Sequence, residues 1–344
     1  MSNNAKIGIL GAGTWGIALA RMLSNAKNAV TVWSAIEAEI DSLAKTYSHP
    51  NLPGIELPRE IKYTKSIADA TVGMDLVVLA VPSVFVRATA RSLAPYVSDG
   101  QIIVDVAKGI EENSLFTMTE IIADEIKNPA VKLVALSGPT HAEEVVRDLP
   151  TTIVSASADD DAARTVQRIF TTGCMRVYTN EDVRGVELCG ALKNVIALAS
   201  GIATGLGCGD NARAALITRG IAEISRLGRA MGCVEQTFGG LAGIGDLIVT
   251  ATSMHSRNNR CGILIGQGLD AKDAIAEVGM VVEGINALPA AISLAKKYGV
   301  EMPIIETVDA VVSGKVEVSA AISALMSREP KSEISGKAFA NVYD

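Results

Sequence analysis

The first half of the chain alternates short apolar runs with segments of helical length. KIGIL (6–10), AVTVW (29–33), DLVVLAV (75–81), QIIVDVA (101–107), VKLVALS (131–137), TTIVSAS (151–157) and RVYTN (176–180) read as strands. Several are continuously apolar, as expected for strands covered on both faces. WGIALARMLSNA and VFVRATARSLAPYV lie between them with helical length. The alternation predicts an α/β fold built on a doubly wound, mostly parallel sheet. After about Asn180 the strand signals stop. Residues 183–203, 219–232, GILIGQG onward and 284–299 predict an all-α C-terminal region. The boundary falls near residue 183, dividing the chain into 1–183 and 184–344, with 327–344 a polar, loose tail.

One helical stretch, LCGALKNVIALASGIATGLG (Leu188–Gly207), carries a single formal charge, Lys193, followed at once by Asn194. About twenty apolar residues suffice to cross a bilayer. Four glycines, the Lys-Asn pair and the lack of flanking basic loops argue against a span. On a helix, Lys193 shares its face with Cys189, Gly190, Ala197 and Ser200, all small. A long cationic side chain among small neighbours either snorkels to the surface or points into a site.

Composition narrows the choice of partner. At 344 residues two domains are the default. The net charge of −7 disfavours nucleic acid or an anionic membrane as a bulk partner, so an anionic ligand must meet a local basic cluster. Five cysteines without C-x-x-C spacing read as reduced thiols, and three dispersed histidines predict no metal. The N-terminus lacks the apolar core of a signal peptide, which predicts a cytoplasmic protein.

GAGTWG (Gly11–Gly16) is a G-x-G-x-x-G placed between a predicted strand and a predicted helix. Gly11 suits a tight turn, Gly13 a close approach to a pyrophosphate, and Gly16 close helix–strand packing. The N-terminal half is thus expected to be a Rossmann domain binding NAD(H) or NADP(H). At the end of the second strand the sequence reads Trp33-Ser34-Ala35-Ile36-Glu37, with neither an acid at the strand tip for ribose nor an arginine for a 2′-phosphate. Ser34 suits either form, so the choice stays open.

Ligands of parallel sheets bind beyond the carboxyl ends of the strands. Lys108 stands just past one such end, and Ser137–His141 past another, where Thr140 or His141 could cap the next helix. Further on, Asp246 follows a flexible GIG, where a carboxylate could orient an ammonium such as Lys193. Ser256 is a candidate N-cap for a helix running through Ile265. Arg257 beside the free N–H groups of that helix start suits a phosphate.

GAGTWGIALA, AVPS, AKGIE, LSGPTHAEE, GALKN, NARAALITRG, GIGDLIVT, HSRNNR and GMVVEG together resemble the bacterial NAD(P)-dependent sn-glycerol-3-phosphate dehydrogenases. The likeness spans nearly the whole chain. It implies a Rossmann domain, a helical substrate domain and a homodimer. It also implies cofactor contacts from Thr14, Trp15, Lys108, Ala142, Arg257, Val281 and Glu283, beside the glycines. For the substrate it implies Lys108, Gly138, Thr140, Asn194, Asp246, Thr250, Ser256, Arg257 and Asn258. Lys193 takes the role of the proton-transferring lysine, with Lys108 and Asp246 as its catalytic companions. Two positions depart from the family: Ala35 where an arginine is frequent, and Asn51 where an aromatic is expected.

The reaction so implied interconverts dihydroxyacetone phosphate and sn-glycerol 3-phosphate and supplies glycerol phosphate for phospholipid synthesis. The alternative is a related reductase of a β-hydroxy or keto acid, whose site must hold a carboxylate. The basic cluster at a helix start favours a phosphate. No nucleic-acid partner and no stable membrane insertion are expected.

Overall fold

The computed structural model describes residues 4–330 together with 332 and 333. Its sheet comprises β1 (Lys6–Leu10), β2 (Ala29–Trp33), β3 (Lys62–Thr64), β4 (Leu76–Leu79), β5 (Ile102–Asp105), β6 (Lys132–Ser137), β7 (Thr151–Ala156) and β8 (Met175–Asn180). Their order is β3-β2-β1-β4-β5-β6-β7-β8, parallel throughout except where β7 pairs with β6. Flanking helices are α1 (Thr14–Asn25), α2 (Glu37–Thr46), α3 (Val86–Leu93), α4 (Met118–Ile126), α5 (Ala142–Val145) and α6 (Asp160–Phe170). The segment between β6 and β7 holds only the single turn of α5. A parallel connection usually runs through a helix long enough to cross the sheet face, and this segment (138–150) has one turn only; β7 turns back. β3 was not expected, because its three residues KYT form no apolar run.

The continuous apolar runs fit burial on both faces. In β4, Leu76 and Val78 join one apolar cluster while Val77 and Leu79 join that of the opposite face. The reversal of strand order lies between β1 and β4, where a doubly wound sheet opens its ligand crevice.

The helical region contains α7 (Val183–Gly205), α8 (Asp210–Ala230), α9 (Glu235–Phe238), α10 (Asp246–Thr252), α11 (Arg257–Gly266), α12 (Ala271–Val278), α13 (Glu283–Tyr298), α14 (Pro303–Val312) and α15 (Val318–Met326). Helix α8 starts nine residues before the expected position 219, and α11 starts ahead of 262 at Arg257. The tail expected at 327–344 lies largely outside the described residues.

Helix α7 is the spine of this region. It is long and apolar enough to cross a membrane, yet every residue from Gly185 to Ala203 is buried in the protein. Helices α8, α10, α11, α13 and α14 pack around it. Its contact with α11 is closest, because glycines face glycines. A Cβ at Gly201 would lie 2.1 Å from Asn259 O, and one at Gly266 would lie 2.2 Å from Ile202 O. Any side chain there would drive the two backbones apart.

Candidate active site

The first part of the site is made of backbone. β1 ends at Leu10 and Gly11 turns the chain with φ +126°, a conformation that L side chains rarely adopt. A Cβ on Gly16 would sit 2.1 Å from Gly11 O, so only glycine lets α1 start this close to the strand. Gly13 is the N-cap of α1; no side chain caps this helix, and nothing lies within 4 Å of where its Cβ would be. Uncapped N–H groups facing open space suit an anion, and the turn fits the pyrophosphate of a dinucleotide. Thr14 accepts a hydrogen bond from Asn51 Nδ2 (3.3 Å), while half-buried Trp15 packs on the sheet core.

At the tip of β2 an acid does arrive, from a place the linear sequence hides. Ser34 Oγ donates to Glu39 Oε2 at 2.6 Å and accepts from Ile36 N at 3.1 Å. Glu39 lies in the first turn of α2, which folds back over the strand end.

The second part is made of buried charge. Lys193 Nζ donates to Asp246 Oδ1 (2.5 Å) and Thr250 Oγ1 (2.6 Å). Lys108 Nζ donates to Asp246 Oδ2 (2.6 Å) and to Gly138 O (3.2 Å). One carboxylate therefore bridges two ammonium groups that lie 138 and 53 residues from it along the chain. Burial pushes the Lys193 ammonium down to about 7; Asp246 opposes this and Lys108 adds to it. Burial raises the Asp246 carboxyl, but Lys108 and Lys193 outweigh it and hold the group below the usual range. Lys193 is thus poised to gain or lose a proton near neutrality.

The third part lies along α11. Ser256 caps the helix through Asn259 N (3.2 Å). Asn258 Nδ2 donates to Asn194 Oδ1 (3.0 Å), and its own Oδ1 accepts from Gly284 N (2.8 Å). These bonds lock α7, α11 and α13 together. Burial lowers the Arg257 guanidinium from its ordinary value, with Glu283 and Glu143 opposing. Arg257 donates no hydrogen bond among the described residues, so its donors are free for an anion. Glu283, first residue of α13, accepts from Ser83 N (3.2 Å) and Ser83 Oγ (2.6 Å). Ser83 follows β4, so this contact ties the helical region to the sheet edge between the glycine turn and Lys108.

Several expected residues thus meet: Lys108, Gly138, Lys193, Asp246 and Thr250 in one chain of contacts, and Asn194, Ser256, Arg257 and Asn258 beside it. Thr140 Oγ1 donates to Gly138 O (3.1 Å), and His141 stands at the N-cap of α5, as one of the two expected candidates, though without a side-chain cap hydrogen bond. Ala142 opens α5 and Val281 precedes α13, both without a polar side chain to place. His141 and His255, far apart in sequence, bring their rings within 5.7 Å. Ser83 and Glu39 were missed. The AVPS signature pointed to Ser83; no local signal pointed to Glu39.

Two further acids are buried, one on α7 and one at the end of β5. Glu187 on α7 accepts from Thr119 N (2.8 Å) and Thr119 Oγ1 (2.6 Å), and burial raises its carboxyl to about 7. Asp105, the last residue of β5, is pushed well above the carboxylate range by burial and then by Glu187.

Two family models meet this geometry. Residues 6–163 match the N-terminal region of NAD-dependent glycerol-3-phosphate dehydrogenase, and residues 182–323 match its C-terminal region. The chain belongs to this family. Glycerol-3-phosphate dehydrogenase (NAD(P)+) 2 of Lactobacillus delbrueckii subsp. bulgaricus is 63% identical, covering 96% of this chain and 99% of its own. The enzyme of Bacillus subtilis bearing the same name is 46% identical over 94% of both chains. A crystal structure of glycerol-3-phosphate dehydrogenase from Coxiella burnetii superposes with a TM-score of 0.90 at 34% identity, covering 94% of this chain and 99% of the other. The protein is accordingly an oxidoreductase with a Rossmann fold that binds NAD(H) or NADP(H).

Proposed function

We propose that this protein interconverts dihydroxyacetone phosphate and sn-glycerol 3-phosphate, with residues 1–183 binding the dinucleotide and 184–344 the substrate. The observation that carries the reading is the buried Lys193 ammonium, held between Asp246 and Thr250, with its neighbour Asn194 bonded to Asn258 at the start of α11, where Arg257 has free donors. The chemistry needs a proton donor at the central carbonyl oxygen of a three-carbon substrate and an anion grip at its phosphate end. A dinucleotide held by its pyrophosphate at the glycine turn would supply the hydride for reduction, or accept it in oxidation, through its nicotinamide.

Ser256, Arg257, Asn258 and the first N–H groups of α11 hold the phosphate, which aligns the carbonyl. Lys193 Nζ donates its proton to the carbonyl oxygen as negative charge develops there. Lys108 adds a second positive charge on the same side, and Asp246 keeps both ammonium groups in place. In the opposite direction neutral Lys193 takes the proton from the substrate hydroxyl. Asn194 fixes Asn258, while Gly138 O orients Lys108. Thr140 borders the substrate at the β6 edge; Ala142, Val281 and Glu283 border the dinucleotide. Five unpaired thiols and dependence on a soluble dinucleotide support a cytoplasmic place, and sn-glycerol 3-phosphate, the product of the reduction, has the glycerol backbone that phospholipid synthesis requires. The apolar groove along α8, α14 and α15, with Met326 82% exposed, supports a homodimer.

The test is Lys193→Ala, assayed with dihydroxyacetone phosphate and NADH. Turnover is expected to fall about a thousandfold while the NADH dissociation constant stays within a few-fold of wild type. A near-wild-type kcat removes Lys193 from the mechanism.

A further inference from the structure

We propose that Glu39 selects the cofactor, and that this protein prefers the dinucleotide with a free 2′-hydroxyl on its adenosine ribose over the 2′-phosphorylated one. The inference deepens the dinucleotide reading of the glycine turn and rests on it. In a β1–α1–β2 unit the adenosine ribose lies at the tip of β2, and an acid there accepts from the ribose hydroxyls. Ser34 is the first residue past β2, and the Glu39 carboxylate sits 2.6 Å from its hydroxyl. Ser34 Oγ is itself committed, donating to Glu39 and accepting from Ile36 N. Glu39 Oε1 accepts no hydrogen bond among the described residues, which leaves a carboxylate oxygen free for a hydroxyl donor.

The surroundings offer a 2′-phosphate nothing in return. Glu39 forms no ion pair among the described residues. Lys65, whose carbonyl accepts from Trp33 Nε1 at the end of β2, is engaged by Glu37 (3.3 Å) and Asp41 (2.9 Å), two further acids of α2. Ala35 and Ile36, both exposed, put an uncharged rim at the strand tip. His49 lies close enough for Glu39 to raise its pKa, but burial outweighs that and lowers it, so the ring is largely neutral at physiological pH. A phosphate near neutrality carries between one and two negative charges, and setting it against an unpaired carboxylate is repulsive. A hydroxyl in the same place gains a charge-assisted hydrogen bond.

The full-length protein is titrated with NADH and with NADPH, following quenching of tryptophan fluorescence, to which Trp15 in the glycine turn contributes. NADH is expected to bind at least about tenfold tighter than NADPH. In Glu39→Gln, which keeps the shape and removes the charge, the two constants should converge to within about threefold, largely through tighter NADPH binding. Glu39→Asp should retain part of the preference. Thermal melts of the variants identify any loss of fold, and kcat/KM with each nucleotide gives a parallel readout. Equal or tighter NADPH binding in the wild type overturns the proposal, as does an unchanged ratio in a folded Glu39→Gln variant. Quenching by neither nucleotide overturns the dinucleotide site itself, and this inference with it.

Discussion

The glycine turn of the sheet and the charged cluster under α7 are opposite solutions to building a site. The turn consists of side chains left out: Gly11 and Gly16 bring strand and helix together, and Gly13 keeps the space above α1 open. The cluster consists of side chains that cannot be left out: two ammonium groups and one carboxylate, each satisfied by the others. Backbone dipoles need no counter-charge when buried, whereas ionised groups do. The turn should therefore fail when an atom is added, and the cluster when a charge is removed.

The largest effect should come from removing the shared charge. Asp246→Asn leaves the buried ammonium of Lys193 without an anion and sets it against Lys108. Breaking a buried pair costs about 3–5 kcal/mol where the orphaned charge persists, and Lys193, already pushed down to about 7, limits the loss by giving up its proton. Lys108, with 18% of its side chain exposed, can turn toward water and so bring the loss to the low end. Urea denaturation should show that loss, and turnover should fall about a thousandfold or more. Wild-type stability in this variant would mean that the ammonium groups need no common partner.

Adding a methyl to the turn is the complementary test. In Gly16→Ala the new Cβ meets Gly11 O at 2.1 Å, backbone against backbone, so α1 must withdraw from β1. Overpacking of this kind costs about 1–3 kcal/mol. The NADH dissociation constant should rise at least about tenfold, with kcat at saturating cofactor much less affected. If instead kcat collapses and affinity holds, the two parts of the site are not separable.

The mildest test changes only pH. Lys193 is pushed down to about 7, so its protonated form, required for ketone reduction, is lost as pH rises through that value. For reduction, kcat/KM should fall about tenfold per unit above pH 7, and for oxidation it should fall about tenfold per unit below. Identical profiles in the two directions would assign the titration to another group.

What could be read from the sequence follows the same division. The glycine turn was legible because its parts are contiguous and its spacing follows from local geometry. The seven strands with an apolar or mixed β signature were legible too, whereas β3 was not, since an edge strand of three polar-to-mixed residues buries little. The reversal of β7 depends on how little helix separates it from β6, and the reading by alternation had no term for that. Lys193 was conspicuous because it breaks an apolar run, and its pairing with Asp246 was foreseen from the flexible GIG. That Asp246 also holds Lys108 was not, since bridging contacts across 138 residues leave no local trace. Glu39 shows the limit: six residues past the strand end, it reached the tip of β2 only through the fold of α2.

The glycine seam between α7 and α11 has a bearing on which molecules can react. In the proposed reaction helix α7 carries the proton donor, Lys193, and the start of α11 carries the phosphate grip. With backbone touching backbone at Gly201 and Gly266, no repacking of side chains can lengthen the gap between them. The pair acts as a fixed caliper, set for one length of carbon chain. On the proposed reaction, a phosphorylated ketone one carbon longer is therefore expected to turn over more slowly than dihydroxyacetone phosphate.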